Sequence, residues 1–111
     1  MTVTVKNIIP RQYATNAQAS YYTATNCKAL IDKFTATNVS GGAETIAVNL
    51  VISGGSASAA NKVLPAKTIQ PGETYLCPEV VGQVLESSGF ISIIASANSA
   101  IVISSTAREI T

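Results

Sequence analysis

The sequence predicts an all-β protein, an antiparallel β-sandwich of jelly-roll or immunoglobulin-like type with about eight strands and no substantial helix. Apolar and polar residues alternate in segment after segment, and turns rich in glycine and proline recur at roughly ten-residue spacing. Asp, Glu, Lys and Arg make up only 12% of the chain, about half the usual share. Outward positions are therefore Ser, Thr, Asn and Ala, a surface suited to contact with other protein. The 111 residues form a single domain, 1–111, able to bury roughly two-thirds of the unfolded surface without metal or disulfide staples.

The opening TVTVKNII alternates through Val3 and Val5 and meets Pro10, which has no N–H for a ladder. Residues 1–18 hold few core candidates and read as an edge strand or an amino-terminal arm. A short strand over 19–25 carries Tyr21 and Tyr22. Residues 28–40 form the next strand, with Leu30, Phe34 and Ala36 on the core side. That register turns Asp32 inward unless a bulge re-aims it or it sits at an exposed strand end. Gly41-Gly42 is expected to turn this strand into an antiparallel hairpin with 43–53. There Ile46, Val48, Leu50 and Ile52 share one face, and Thr45, Ala47, Asn49 and Val51 the other.

Residues 53–61, SGGSASAAN, have the most flexible composition in the chain and read as a long loop. Extended structure resumes at 63–69, on a sheet edge because of Pro65. Gln70-Pro71-Gly72-Glu73 places proline and glycine at the inner positions of a type II turn, and a strand over 74–77 follows. The stretch 78–88 fits helical spacing as well, but Gly82 and three valines favour an irregular strand. A strand from Phe90, a turn at 97–99 and a strand from Ala100 are expected to close the chain as a terminal hairpin.

Chemistry is sparse. There is no histidine, which removes the commonest general base and neutral metal ligand. Of the carboxylates, Glu73, Glu79 and Glu86 lie near strand ends where a pair can meet, yet solvated turn residues are the simpler reading. Cys27 and Cys77 are far apart in sequence, match no metal-binding or redox spacing, and read as small buried hydrophobes with free thiols, the alternative being a late bridge in an oxidising environment if their strands pair. Asn38-Val39-Ser40 matches a glycosylation sequon, but the opening MTVTVKNIIP lacks the basic start and apolar run of a signal peptide, secretion is not expected, and the sequon reads as a strand end with polar caps. No catalytic residue, cofactor or metal site is predicted. Net charge is +1 with scattered basic residues, which argues against nucleic acid, and no apolar run reaches membrane-spanning length.

The strongest functional signal is the surface. The predicted edges Val3–Val5 and Ile101–Ser105 carry no charge, although solitary sandwiches normally guard their edges with it. Val3, Val5, Arg11, Tyr13, Tyr21 and Tyr22 are the expected partner-interface residues, tyrosine and arginine being frequent interface anchors.

The segments DKFTATNVSG (32–41), NLVISGGSASAAN (49–61), IQPGETY (69–75) and AREIT (107–111) resemble small virion proteins of tailed bacteriophages, over most of the chain beyond Ala29. Length and all-β pattern resemble the capsid-decorating staple, or cement, proteins of epsilon15-like short-tailed phages. That resemblance implies a jelly-roll protein on the outer capsid surface, assembled in the host cytoplasm. It would cross-link neighbouring major capsid subunits of HK97-like fold and stabilise the DNA-filled head, and would self-associate there as a homodimer or other homo-oligomer. The alternatives are a phage neck, collar or tail accessory protein, or a non-catalytic carbohydrate-binding sandwich. Against the latter, the chain has no Trp and its loops 53–61 and 97–99 hold no aromatic residue.

Overall fold

The computed structural model describes residues 1–111. Nine strands are present: β1 (Val3–Tyr13), β2 (Ala19–Thr23), β3 (Lys28–Asn38), β4 (Glu44–Val51), β5 (Lys62–Ile69), β6 (Thr74–Tyr75), β7 (Val84–Leu85), β8 (Phe90–Ala95) and β9 (Ile101–Ile110). One sheet runs β1-β9-β3, with β6 and β7 both on the far side of β3. The second runs β2-β8-β4-β5. Every pairing is antiparallel and the pairs are nested: β1 with β9, β2 with β8, β3 with β6 and β7, β4 with β5. This is one long hairpin rolled over on itself, a jelly roll, and the immunoglobulin-like alternative falls away.

Rolling the hairpin overturns two local expectations. The Gly41-Gly42 turn makes no hairpin, because β3 lies in the first sheet and β4 in the second. The terminal hairpin fails in the same way, since residues 96–100 carry the chain from β8 in the second sheet to β9 in the first. Ile101–Ser105 is consequently no edge: β9 is flanked by β1 and β3. β1 is an edge, paired to β9 along its inner side and held at its start by mutual backbone bonds between Thr2 and Thr111, 3.0 and 2.9 Å.

A bulge settles the Asp32 problem. The β3–β9 register shifts between Ile31 and Lys33, so Ala29 and Ile31 face the core before it, and Phe34, Ala36 and Asn38 after it. Leu30, expected inside with Phe34 and Ala36, is for this reason half-buried on the outer face. Ser105 Oγ donates to the Lys33 carbonyl at 2.7 Å and fixes the bulge. Asp32 turns outward to Arg108, which grips it with three N–O contacts of 2.9–3.2 Å.

Between the sheets, Ile9, Ile31, Phe34 and Ile103 pack against Ile46, Val48, Ile91 and Ile93, all without solvent exposure. Cys27 and Cys77 are buried free thiols. β4 departs from simple alternation because Ala47, Asn49 and Val51 are buried too, while Ile52 lies beyond the strand and is 75% exposed. The glycine-rich segment after β4 folds back over this outer face. It includes a 3-10 turn, Ala59–Asn61, and Asn49 Nδ2 donates to Ser58 O and Asn61 Oδ1 at 2.8 and 2.7 Å. Pro65 sits on β5, at an edge of the second sheet, and Gln70–Glu73 forms its turn with Gly72 at φ +78° and a 3.0 Å closing bond. Residues 78–88, expected as an irregular strand, instead form turns around the two-residue β7. The strand expected over 74–77 stops at Tyr75, because Cys77 adopts φ +47°.

Asn38 joins these parts. Its side chain is fully buried and its Nδ2 donates to Gly42 O and Ile69 O, both at 2.8 Å. Its Oδ1 accepts from Ser40 N and Ser40 Oγ at 2.9 and 2.7 Å. The amide thereby ties the end of β3, the crossover between sheets and the end of β5 together. Asn38→Ala would take its side-chain donor from the buried Ile69 carbonyl and leave a void in a fully buried site, and should lower unfolding free energy by about 2–4 kcal/mol. Ser40→Ala should cost roughly 1 kcal/mol or less. Urea midpoints at constant m-value check both.

Burial, aided by the nearby Glu79 charge, pushes the Cys77 thiol from 9.0 up to about 12. The unfolded chain therefore releases this proton first, so the contribution of the neutral thiol is complete below pH 9.0 and is lost as pH rises towards about 12. Stability measured by urea titration should begin to fall above pH 9, and Cys77→Ala should flatten the first part of that fall, below the range where tyrosines ionise.

Candidate interaction surface

The outer side of the β1-β9-β3 sheet is ordered by its register. Paired residues on adjacent strands point the same way, so one row reads Val5, Arg108, Leu30, Val84 across β1, β9, β3 and β7. A neighbouring row reads Val3, Ile110, Lys28. Val3, Val5 and Val84 are 49, 77 and 50% exposed. Apolar side chains thus span the sheet at one end, with the Arg108–Asp32 pair between them at 2.9 Å. Its hydrogen bonds to Asp32 push the Arg108 guanidinium still higher than usual. At the far end Tyr13 shares a row with Val102 and Thr37, and the middle carries Ser104, Thr106 and Thr35.

β1 is protected unevenly. From Lys6 onward it has Lys6, Pro10, Arg11 and two register irregularities, between Lys6 and Ile9 and between Ile9 and Gln12. Those features discourage strand addition. Thr2–Val5 has none of them and is exposed throughout.

The six sequence-predicted interface residues separate into two groups. Val3, Val5, Arg11 and Tyr13 lie exposed on β1. Tyr21 and Tyr22 lie on β2 in the other sheet, half-buried against the core, with their hydroxyls engaged within the chain. Tyr21 Oη accepts from Thr15 N at 3.0 Å. Tyr22 Oη donates to Glu109, which also meets Lys6 at 3.5 Å, linking β2 to β9 and β1 across the sandwich side. Burial and the bond to Glu109 push the Tyr22 hydroxyl well above the usual phenol range. Both tyrosines serve as intramolecular braces.

Sequence reasoning missed the other flank of the sheet. Leu76, Val81 and Val84 are exposed there, and a groove of about 300 Å³ opens between Asp32 and Lys33 on β3 and Leu76, Pro78 and Val81. The run Pro78–Gly82, with paired valines beside a glycine, was the available signal. Tyr75 stands next to this loop, donating to Glu79 at 2.7–2.8 Å, a bond that pushes its hydroxyl up to about 12. Lys67 Nζ lies 4.9 Å from the Tyr75 ring centre, a cation–π contact joining the two sheets. The three carboxylates considered as a possible pair go separate ways: Glu73 accepts from Gln70 N, Glu79 from Tyr75, and Glu86 meets Lys28.

No protein-family model and no curated protein matches the chain. Solved structures do. A chain from Bacillus endospore appendages, described as a novel family of disulfide-linked pili, superposes with a TM-score of 0.56 at 14% identity, over 99% of this chain and 88% of that one. The infectious bursal disease virus Gx strain gives 0.55 at 13% identity, over 98% of this chain and 33% of the other. The VP2 subviral particle of that virus gives 0.53 at 12% identity, over 98% and 32%. This chain thus spans about a third of the viral chains and most of the pilus chain, and what it shares with them is the fold.

Proposed function

We propose that this chain is a non-catalytic structural protein of a virion that decorates a phage head and bridges neighbouring major capsid subunits of HK97-like fold. The observation that carries the reading is the juxtaposition of an uncharged open edge, Thr2–Val5, with the apolar residues Val3, Val5, Leu30, Val84 and Ile110 on the same sheet face, among which Arg108 and Lys28 are the charged members. Edge and face together offer a surface for strand addition and apolar packing. A protein that binds only the assembled shell stabilises it by mass action, and repetition over the lattice lets a modest affinity per site suffice. The likeness to capsid and pilus chains supports an assembly role at the level of fold. On this reading the protein lies on the outer surface of a particle put together in the host cytoplasm, self-associating on the shell.

A second reading, a subunit of a homopolymeric appendage, draws on the near-complete coverage of the pilus chain. Against disulfide linkage of that kind, both cysteines are buried at 5% and 0% exposure.

Co-sedimentation with heads prepared without the protein tests the first reading. Decoration predicts on the order of hundreds of bound copies per shell, as icosahedral repetition requires, and greater resistance of the head to heat. About a dozen copies would indicate a neck or tail position instead, and none would refute a head-bound role. Val5→Lys, which places a charge on the open edge, should weaken binding by about tenfold, or 1.4 kcal/mol. Sedimentation velocity of the protein alone would reveal polymers if the appendage reading held.

A further inference from the structure

The groove beside β3 is the one cavity in the molecule, about 300 Å³ in volume. Its walls are Leu76, Pro78 and Val81, and its floor is Asp32 and Lys33. Leu76 and Val81 are 58% and 39% exposed, although completing the burial of either would be favourable by about 1 kcal/mol.

The backbone holds them out. Cys77 adopts φ +47°, a left-handed conformation in a non-glycine residue directly before proline, where extended backbone is preferred. Strain of this kind is on the order of 1–3 kcal/mol and persists only where its surroundings enforce it. Here it turns the Cys77 thiol inward to full burial while Leu76 faces water. The surrounding loop is pinned on all sides. Val80 N and Val81 N donate to Cys77 O at 2.9 and 3.3 Å, Gly82 N donates to Ile31 O at 2.8 Å, and Ile31 N donates to Gln83 O at 3.0 Å. Tyr75 Oη bonds Glu79 from the other side. The walls are therefore formed before anything binds, which removes an ordering cost from association.

The floor has a definite charge. Arg108 neutralises Asp32, whereas the chain's ion pairs leave Lys33 without a carboxylate. A lone ammonium beside apolar walls complements a ligand that is aliphatic and anionic. Strand addition is ruled out at this place because Phe34, in the stretch of β3 between its pairings with β7 and β6, has no exposed surface. The volume accommodates a side chain of leucine size, which needs roughly 150 Å³.

We propose that this groove seats a single leucine-sized side chain from a neighbouring protein subunit, with an adjacent carboxylate of that subunit on Lys33. The identification of that subunit as the capsid protein rests on the decoration reading above. The groove acts as a socket that fixes the orientation of the subunit, while the β1 edge supplies extended contact at the opposite side of the sheet.

Two measurements test it. The first titrates 15N-labelled protein with N-acetyl-leucyl-glutamyl amide, using the alanyl-glutamyl and leucyl-lysyl amides as controls. Saturable shifts at Asp32, Lys33, Leu76 and Val81 are expected for the leucyl-glutamyl probe, with Lys33→Glu weakening it about fivefold, the upper range for an exposed ion pair. Absence of saturable shifts there, or equal binding of either control, overturns the proposal. The second compares wild type and Leu76→Asp in co-sedimentation with heads; the side chain is exposed, and an unchanged amide spectrum elsewhere verifies the fold. A loss of at least about tenfold supports the socket as a capsid contact. Unchanged sedimentation overturns it, and a wild-type dimer dissociated by Leu76→Asp overturns it in favour of a second copy. Failure of wild type to bind heads, with the dipeptide still bound, supports the socket and refutes the capsid as its partner.

Discussion

The rolled hairpin depends on a single buried amide. A jelly roll must carry its chain repeatedly from one sheet to the other, and each crossing exposes backbone groups that neither ladder satisfies. At the β3–β4 crossing those groups converge on Asn38, whose two side-chain donors take the carbonyls of Gly42 and Ile69 and whose oxygen accepts from Ser40. Its backbone adds two more ties, donating to Glu73 O at 3.0 Å and accepting from Gly72 N at 2.8 Å. One residue thus fixes where the first sheet ends, where the second begins and how the 70–73 turn closes. No hydrophobic residue can substitute, since the role consists of directed bonds in a volume that excludes water. The sequon that Asn38 begins is inaccessible for the same reason.

Local features of this fold were legible in the sequence because their causes are local. Proline at 65 required an edge, and Pro71-Gly72 required a type II turn with positive φ at the glycine; each is present. Alternation located the strands well. Pairing was a different matter, since alternation says that a strand has a buried face and leaves its neighbour unspecified. Consecutive strands across Gly41-Gly42 satisfied every hairpin rule, yet each found better cover in a strand distant in sequence, β3 against β9 and β4 against β8. The bulge at Asp32 was anticipated as one of two ways to avoid a buried charge, and its hold on Arg108 explains why it is tolerated. Leu30 was misplaced because the bulge reverses the parity of every residue before it.

Among the few charges, three pairs are placed where elements meet. Lys6 and Glu109 join Tyr22 in bracing the open side of the sandwich, Lys28 pairs with Glu86, and Arg108 pairs with Asp32. Exposed pairs such as these add little stability individually, so their value lies in position. The two outermost strands with guarded edges illustrate this: β5 carries Lys62, Pro65 and Lys67, and β1 from Lys6 onward carries Lys6, Pro10 and Arg11. Thr2–Val5 stands out by contrast. In a chain this poor in charge an unguarded edge is no rarity, and β2 at the edge of the second sheet is uncharged as well, but Thr2–Val5 also borders the most apolar end of the adjoining sheet face.

The candidate surface was legible only where it depends on alternation. Val3 and Val5 were identifiable because an apolar residue on an edge strand ahead of a proline has nothing left to pack against. Tyr21 and Tyr22 were drawn in by residue type, and the irregularity between Ser20 and Tyr22 in the β2–β8 ladder lets both adjacent rings pack against the core, which a regular strand would forbid. The groove was hidden for a deeper reason. It exists because a cysteine before a proline takes a left-handed turn, a choice that no propensity favours and that only the surrounding hydrogen bonds enforce. The same turn buries Cys77 and exposes Leu76, so the thiol's packing and the loop's display of apolar surface are one conformational decision. A residue with extended backbone at 77 and a polar one at 76 would relieve both, so strain and exposure occur here together, and it is their coincidence on which the socket proposal rests.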